Sequence, residues 1–252
     1  MERDRMYGDL AHLWPLISPP EEYADEAAHW RDALRARLGP GRHRLLELGV
    51  GGGHNLSHLT DDFQATAVDI SERMLANSVR LNPGVEHVVG DMRTVRLGRT
   101  FDAVLIHDAV SYLLTEDDLV ATFETARAHL SPGGALIVAP DWYRETWRGT
   151  EAFSRVRRGE GRELAFFEYR TDLDPDDTTV ETVFMYVTNE GGEVRVEHDY
   201  HVMGLFPMDV WLGRMRDVGF DVERRPYLDR ADGDAAYLLV GVLARWPAPR
   251  GR

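Results

Sequence analysis

From residue 24 to residue 140 the chain alternates short apolar runs with stretches whose apolar residues recur every three or four positions. ADEAAHWRDALRARL, residues 24–38, places Ala27, Trp30, Leu34 and Leu38 on one helical face. Arg44–Leu48 reads as a short buried strand, followed by a helix over 54–60. A strand at Ala65–Asp69 precedes a helix that Ser71 opens as N-cap, with Arg73–Leu81 behind it. Strands are predicted at Glu86–Val89 and Phe101–Ile106, then a helix over 116–130 stopped by Ser131-Pro-Gly-Gly, then a strand at Ala135–Ala139. This rhythm predicts a parallel α/β sheet whose right-handed crossovers bring the loop after every strand to one edge.

Beyond Trp147 the period changes. GRELAFFEYRT, TTVETVFMYVT and EVRVEHDYHVM alternate apolar and polar residues, separated by the turn-rich DLDPDD and NEGG. They predict a three-stranded antiparallel elaboration. A helix over 207–218 with Pro207 in its first turn and strands at 220–225 and 237–245 complete the chain. Without a repeat or a linker, residues 1–252 are expected to form one domain. Its parts are an N-terminal helical lid (1–40), an α/β core (41–147), a β-insertion (150–205), and a C-terminal helix with the last strands (206–246). An insertion so late in an α/β domain roofs the ligand edge or builds a subunit contact, so a homodimer through it is one expectation.

Composition narrows the chemistry. The 252 residues, 43% of them hydrophobic, suffice for a sizeable core. No apolar run approaches the ~18 residues of a spanning helix, and MERDRMYGDL has no apolar leader core, so no membrane association and a cytoplasmic location are expected. A formal charge of −14, spread along the chain, argues against a nucleic-acid partner. The absence of cysteine excludes thiolate nucleophiles and cysteine-held metals. All the basic residues other than histidine are arginine, which excludes Schiff-base chemistry and a P-loop lysine. Scattered histidines and acids show no metal-ligand spacing, and no metal is expected.

The one stretch that breaks the pattern is LLELGVGGGHNLSHL, residues 45–59, where Gly49, Gly51, Gly52 and Gly53 crowd a strand-to-helix turn. Stripped side chains there imply close approach of a ligand to the backbone. A dinucleotide G-x-G-x-x-G fails in both registers, because His54 or Leu56 stands where the third glycine belongs. Asp69 ends the second predicted strand twenty residues after Gly49, where α/β nucleoside sites put a carboxylate on the ribose hydroxyls.

The pattern E-x-G-x-G-x-G, Glu47 to Gly53, resembles motif I of the class I S-adenosylmethionine (SAM) methyltransferases. The GDM at 90–92, FDAVLIHD and LSPGGALIV resemble the later motifs of that family in order and spacing. The resemblance implies a Rossmann-like class I methyltransferase sheet, with residues 41–147 as the SAM-binding part, SAM as cofactor and S-adenosylhomocysteine as product. It implies that the loop Gly49, Gly51 and Gly53 bends under the methionine part of SAM with Glu47 close by, and that Asp91 accepts from the adenine amino group. Ile70, Met74 and Met92 are candidate neighbours of the nucleoside, although core packing explains a methionine at the Met74 spacing equally well.

GDMRTVRLGRTFDAV, the SYL of 111–113 and the HVMGLF of 201–206 resemble, more narrowly, the sugar N,N-dimethyltransferases of antibiotic biosynthesis. That branch also carries a β-insertion, which implies a small-molecule acceptor methylated on nitrogen or oxygen. The substrate half departs from the pattern. Where those enzymes have a glycine–arginine pair, this chain reads DAAYLLVG, residues 234–241, which weakens the case for a nucleotide-sugar diphosphate.

Methyl transfer from a sulfonium needs alignment, exclusion of water and removal of a proton. His107, at the end of the fourth strand, is a candidate base and a candidate cofactor contact at that edge. The resemblance makes Tyr112 and His201 further catalytic candidates. The N-terminal YGDLAHLWPLISPPEEY offers Tyr23 as a cofactor cover, with His12 and Trp14 as lid or substrate contacts; packing of the first helix accounts for the same aromatics. Three readings stay open: a small-molecule methyltransferase, a methyltransferase of protein or another macromolecule, and a SAM-binding regulator without turnover.

Overall fold

The computed structural model of the protein describes residues 3–159, 161–229 and 235–243. After 3-10 turns at Arg5–Tyr7 and Ala11–Leu13 come α1 (Trp14–Ile17), a 3-10 turn at Pro20–Tyr23, and α2 (Ala24–Leu38). The core then runs β1 (His43–Leu48), α3 (His54–Ser57), β2 (Phe63–Asp69), α4 (Glu72–Leu81), β3 (Glu86–Val89) and β4 (Phe101–Ile106). It continues with a 3-10 turn at Asp108–Tyr112, α5 (Glu116–Ala128) and β5 (Leu130–Val138). The insertion holds β6 (Glu151–Gly159), β7 (Arg162–Thr171), β8 (Thr179–Glu190) and β9 (Glu193–Gly204). α6 (Met208–Asp217), β10 (Phe220–Asp229) and β11 (Ala235–Leu243) end the described chain.

The main sheet has the order β10-β11-β5-β4-β1-β2-β3, with β1 to β5 parallel and β11 antiparallel to both of its neighbours. Alternation along each strand sends residues to opposite faces. Leu46, Leu48, Val104 and Ile106 pack with Phe123 of α5 and Trp211 of α6. Leu45, Ala67, Leu105 and Ile137 pack on the other face with Ala27, Trp30 and Leu34 of α2. The predicted apolar face of α2 is therefore the buried one.

Three expectations need correction. The elaboration is four-stranded, β6-β7-β8-β9. β6 escaped notice because it is an edge strand, exposed along most of its length, so nothing imposes alternation on EAFSRVRRG. The helix after the glycine loop stops at Ser57, where the Thr60 hydroxyl takes the Ser57 carbonyl (3.3 Å). α5 already ends at Ala128 with His129 as its C-cap, and Ser131-Pro-Gly-Gly lies inside β5, in the register shift between the pairs Phe101–Leu130 and Ala103–Ala135.

The N-terminal segment lies between the two sheets. Met6, Leu10, Leu13 and Ile17 pack on Leu164, Phe166 and Tyr186 of the insertion. Ser71 Oγ donates to the Tyr7 carbonyl (2.5 Å) and Asn77 Nδ2 to that of Ala11 (2.8 Å), which ties the segment to α4 as well. Among the described residues no helix is long and apolar enough to cross a membrane.

Candidate active site

β1, β2, β3 and β4 end at Leu48, Asp69, Val89 and Ile106, and their following loops wall a cavity of about 420 Å³. The volume lies within the range of small-molecule sites. Gly49 (φ 77°) and Gly51 (φ 55°) line it in the left-handed region. A Cβ on Gly49 would stand 2.3 Å from Ala109 Cβ, and one on Gly52 would meet Trp14 Cδ1 at 2.5 Å. Gly53 also has a positive φ (75°) but does not line the cavity. It caps α3, and a Cβ there would strike Ser78 Oγ of α4 at 2.2 Å, so its smallness serves helix packing.

Asp69 lines the cavity with both oxygens anchored: Gly51 N–H donates to Oδ2 (2.7 Å) and Ser71 N–H to Oδ1 (2.8 Å). Burial pushes its carboxyl up, and the backbone donors pull against that rise. The carboxylate thus sets the glycine loop and α4 against each other and keeps acceptor capacity for a diol. Asp91 also lines the cavity. The Arg93 guanidinium grips it through Nε–Oδ1 (3.0 Å) and Nη2–Oδ2 (2.6 Å) and holds it below the ordinary carboxylate range. Ile70, Met74 and Met92 are in the wall, Ile70 largely exposed and Met74 fully buried.

The aromatics expected over the site divide. Trp14 stacks on His54 (centroids 5.9 Å apart), and Tyr23 meets the same imidazole edge-on (5.6 Å) while bonding Ser18 Oγ (2.6 Å); all three line the cavity. Burial lowers the His54 pKa to about 4, so this ring is an uncharged spacer. Trp14 Nε1 is buried with no protein partner, a donor left for a ligand. His12 is misplaced by the sequence reading. It is exposed, bonds the Asp9 carbonyl, and faces a separate depression beside Leu10, Arg162 and Thr188.

Glu47 stands behind the wall on the α2 face, 1% exposed, with Oε2 unpartnered. Burial pushes its pKa up to about 7. His107 does line the cavity, beside Trp30 (5.3 Å) and with the Asn55 side-chain amide against Nε2. Burial disfavours its charge, but the Asp108 carboxylate (Nδ1–Oδ1 3.0 Å), Glu26 and Glu47 outweigh that and raise its pKa to about 10. The Asp108 backbone N–H also reaches Nδ1 (2.7 Å), and Asn55 Nδ2 faces Nε2 while donating to Glu26 Oε2 (3.0 Å). A ring held protonated near neutral pH is not a base, which sets His107 apart from the other two catalytic candidates. Glu26, His107 and Asp108 bring ligand atoms within 4.8 Å of one another, a grouping from three elements that sequence spacing could not show. Their contacts with each other and with Asn55 account for the convergence.

Tyr112 and His201 meet, 89 residues apart in sequence. Tyr112 Oη lies 2.6 Å from His201 Nδ1, and Tyr7 Oη donates to Tyr112 Oη at 2.9 Å. His201 Nε2 is 2.7 Å from Asp199 Oδ2. Tyr7 and Tyr112 line the cavity; His201 (2% exposed) and Asp199 (0%) lie behind them. Burial raises the phenols far above their ordinary range, so both carry their protons. Tyr7 and Asp199 were not singled out from sequence, although Asp199-x-His201 on a strand puts both side chains on one face. Arg3 and Asp4, at the same end, line the cavity too. Of the DAAYLLVG stretch, Asp234 lies outside the described residues.

A family profile described as "Methyltransferase domain" matches residues 45–134. A dTDP-3-amino-3,4,6-trideoxy-alpha-D-glucopyranose N,N-dimethyltransferase of Streptomyces venezuelae is 33% identical over 226 residues, covering 89% of this chain and 92% of its own. Among solved structures, Streptomyces venezuelae DesVI superposes with a TM-score of 0.80 at 29% identity, covering 94% of this chain and 96% of that one. SAM-bound CalS10, an amino pentose methyltransferase from Micromonospora echinaspora involved in calicheamicin biosynthesis, does so at 0.75 and 27%, covering 89% and 92%.

Proposed function

The chain belongs to the SAM-dependent methyltransferases, within the family of the sugar N,N-dimethyltransferases of antibiotic biosynthesis, and from that premise we propose that it methylates the amino nitrogen of a small amino sugar. The observation that carries this reading is the pair of neutral phenols, Tyr7 and Tyr112, hydrogen-bonded to each other in the cavity wall. A methyl acceptor needs hydrogen-bond partners that orient its lone pair and take up a proton, and two hydroxyls backed by an imidazole offer both.

When bound, SAM supplies an electrophilic methyl carbon. Asp69 is the proposed partner of its ribose hydroxyls and Asp91 of its adenine, with Ile70, Met74 and Met92 around the base. Gly49 and Gly51 let the backbone come close. Glu47 is proposed to attract the cationic α-amino end from behind the wall, that positive charge in turn favouring the ionised carboxylate. His107, as an imidazolium, and Trp14 Nε1 suit the α-carboxylate. Trp14 and Tyr23, with His54 between them, exclude water from that end. The cytoplasm, where SAM is made, is the proposed compartment.

Incubating the protein with SAM and dTDP-3-amino-3,4,6-trideoxy-α-D-glucopyranose, alongside amino sugars lacking the nucleotide, tests the reading through S-adenosylhomocysteine release. Turnover on at least one of these amines is expected. SAM binding without turnover on any of them would favour the non-catalytic alternative.

The outer face of the insertion supports a second proposal, a homodimer through this sheet. Val156, Phe167, Tyr169, Met185 and Val196 are exposed on one face, with Phe167 opposite Met185 in register. An apolar patch on one sheet face is a protein-association surface. Met185→Glu should give a monomer in sedimentation analysis; an unchanged association state would refute the interface.

A further inference from the structure

The four-residue chain behind the acceptor end has a direction, and one carboxylate sets it. Asp199 is buried, and its Oδ2 accepts both from His201 Nε2–H (2.7 Å) and from the backbone N–H of Met6 (2.7 Å), while Oδ1 accepts from Tyr200 N–H (2.8 Å). Burial pushes this carboxyl up, but the hydrogen bonds it accepts from His201 and from the backbone prevail and hold it below its ordinary range. An ionised carboxylate can only accept, so the His201 proton sits on Nε2 and Nδ1 presents a lone pair. The Tyr112 hydroxyl must then spend its proton on Nδ1, and it can meet Tyr7 only by accepting. Tyr7 in turn spends its proton on Tyr112. Its oxygen is left as an acceptor at the cavity, where a substrate N–H would stand.

We infer that Asp199 is a positioning residue that orients a proton path from the acceptor nitrogen through Tyr7 and Tyr112 to His201. The inference rests on the amine-methylation reading. In the step, an N–H bond of the substrate ammonium breaks and its electron pair stays on nitrogen, ready for the methyl group. The proton passes to Tyr7 oxygen, the Tyr7 proton to Tyr112, and the Tyr112 proton to His201 Nδ1. Both phenols end neutral. The imidazolium rests against Asp199 until product leaves, and the proton then returns along the same path to water.

The surroundings of His201 agree with that use. Asp199 on β9 and Asp4 from the N-terminal segment are the carboxylates facing it; Tyr7 and Tyr112 are its other titratable neighbours. From β8 come Thr182, its register partner, and the Phe184 ring at 4.8 Å. Because Met6 N–H and His201 Nε2–H share Oδ2, the carboxylate that fixes the imidazole tautomer also docks the segment carrying Tyr7. Both ends of the path are placed by one group.

Two readouts separate failure of this inference from failure of the methylation reading. The first needs no acceptor: nitrogen NMR of the S-adenosylhomocysteine-bound protein, with His201 assigned by its loss in His201→Gln. The Nε2–H tautomer is expected in wild type, and the Nδ1–H tautomer would overturn the inference. The second is turnover on whichever amine the wild type methylates. Asp199→Asn and Tyr112→Phe should each lower kcat about 10²-fold, the low end of acid–base assistance, with KM for SAM moved less than about threefold. The double variant should lose little more than either single one, because the residues act as a unit. Tyr112→Phe leaves the Asp199–Met6 bond in place, so it decides the matter if Asp199→Asn folds poorly. Wild-type kcat in Tyr112→Phe, or losses that multiply in the double variant, would overturn the path. Failure of the wild type on every amine would defeat the methylation reading and leave the tautomer measurement standing.

Discussion

The two ends of the cavity are built differently. The cofactor end is made of backbone and strand-end side chains that are close in sequence: Gly49 to Gly53, Asp69 to Met74, and Asp91 with Met92 follow β1, β2 and β3 in turn. The acceptor end is made of side chains that meet only through tertiary structure, with Tyr7, Tyr112 and His201 drawn from the N-terminal segment, a 3-10 turn and the insertion. A parallel sheet delivers the first kind of site automatically, since its loops emerge on one edge. The second kind depends on how an added sheet docks. Cofactor chemistry can therefore stay constant while the acceptor end is rebuilt around it.

The comparison breaks most readily at Gly49. Gly49→Ala adds a Cβ 2.3 Å from Ala109 Cβ at a φ of 77°, and should weaken SAM binding by roughly 10²-fold or more through overpacking and backbone strain. Gly98→Ala is the control, with a similar φ of 67° and nothing near its Cβ; its SAM affinity should stay at the wild-type level in calorimetry. Equal losses in the two variants would mean that crowding in the loop is not the cause.

Asp69→Ala is next, with SAM binding weakened by about 1.5–3 kcal/mol, the scale of hydrogen bonds to a charged group. Part of that loss would come from freeing Gly51 N–H and Ser71 N–H, since Asp69 shapes the loop as well as presenting oxygens. Unchanged SAM affinity in a folded variant would remove Asp69 from the site.

The smallest effect concerns stability. The folded-state pKa of Glu47, about 7 against an ordinary 4.5, means that the folded chain binds more protons than the unfolded one between those values. Glu47 therefore costs stability progressively as pH rises through that window. Glu47→Gln should raise Tm at about pH 8 and change it little at about pH 4.5 in the ligand-free protein, by scanning calorimetry. Equal shifts at both pH values would contradict the burial argument.

The same division explains what the sequence could tell. The α2 face of Ala27, Trp30 and Leu34, the strand ends and the Ser71 cap were legible because each is written in local periodicity or one hydrogen bond, as Met74 N–H to Ser71 Oγ (3.1 Å) bears out. β6 was hidden because an exposed edge strand has no face to alternate. His12 and Trp14 are two residues apart, yet one faces solvent and the other the cavity; the 3-10 turn and short helix there fix directions that no repeat encodes. Asp199 lay hidden for another reason. A buried carboxylate in an alternating strand looks like any polar position until its partners, 193 residues away at Met6 and two away at His201, are seen together.

The central claim is that binding the cofactor and activating the acceptor are separable tasks of the two ends. Measuring SAM affinity by calorimetry and S-adenosylhomocysteine release on a methylated amine, in one preparation of Tyr7→Phe, tests it most directly. Tyr7 Oη donates to Tyr112 Oη (2.9 Å). The account predicts a dissociation constant for SAM within about threefold of wild type and a release rate lowered about 10²-fold. A variant that loses SAM affinity in step with its rate, or that keeps the wild-type rate, would contradict it.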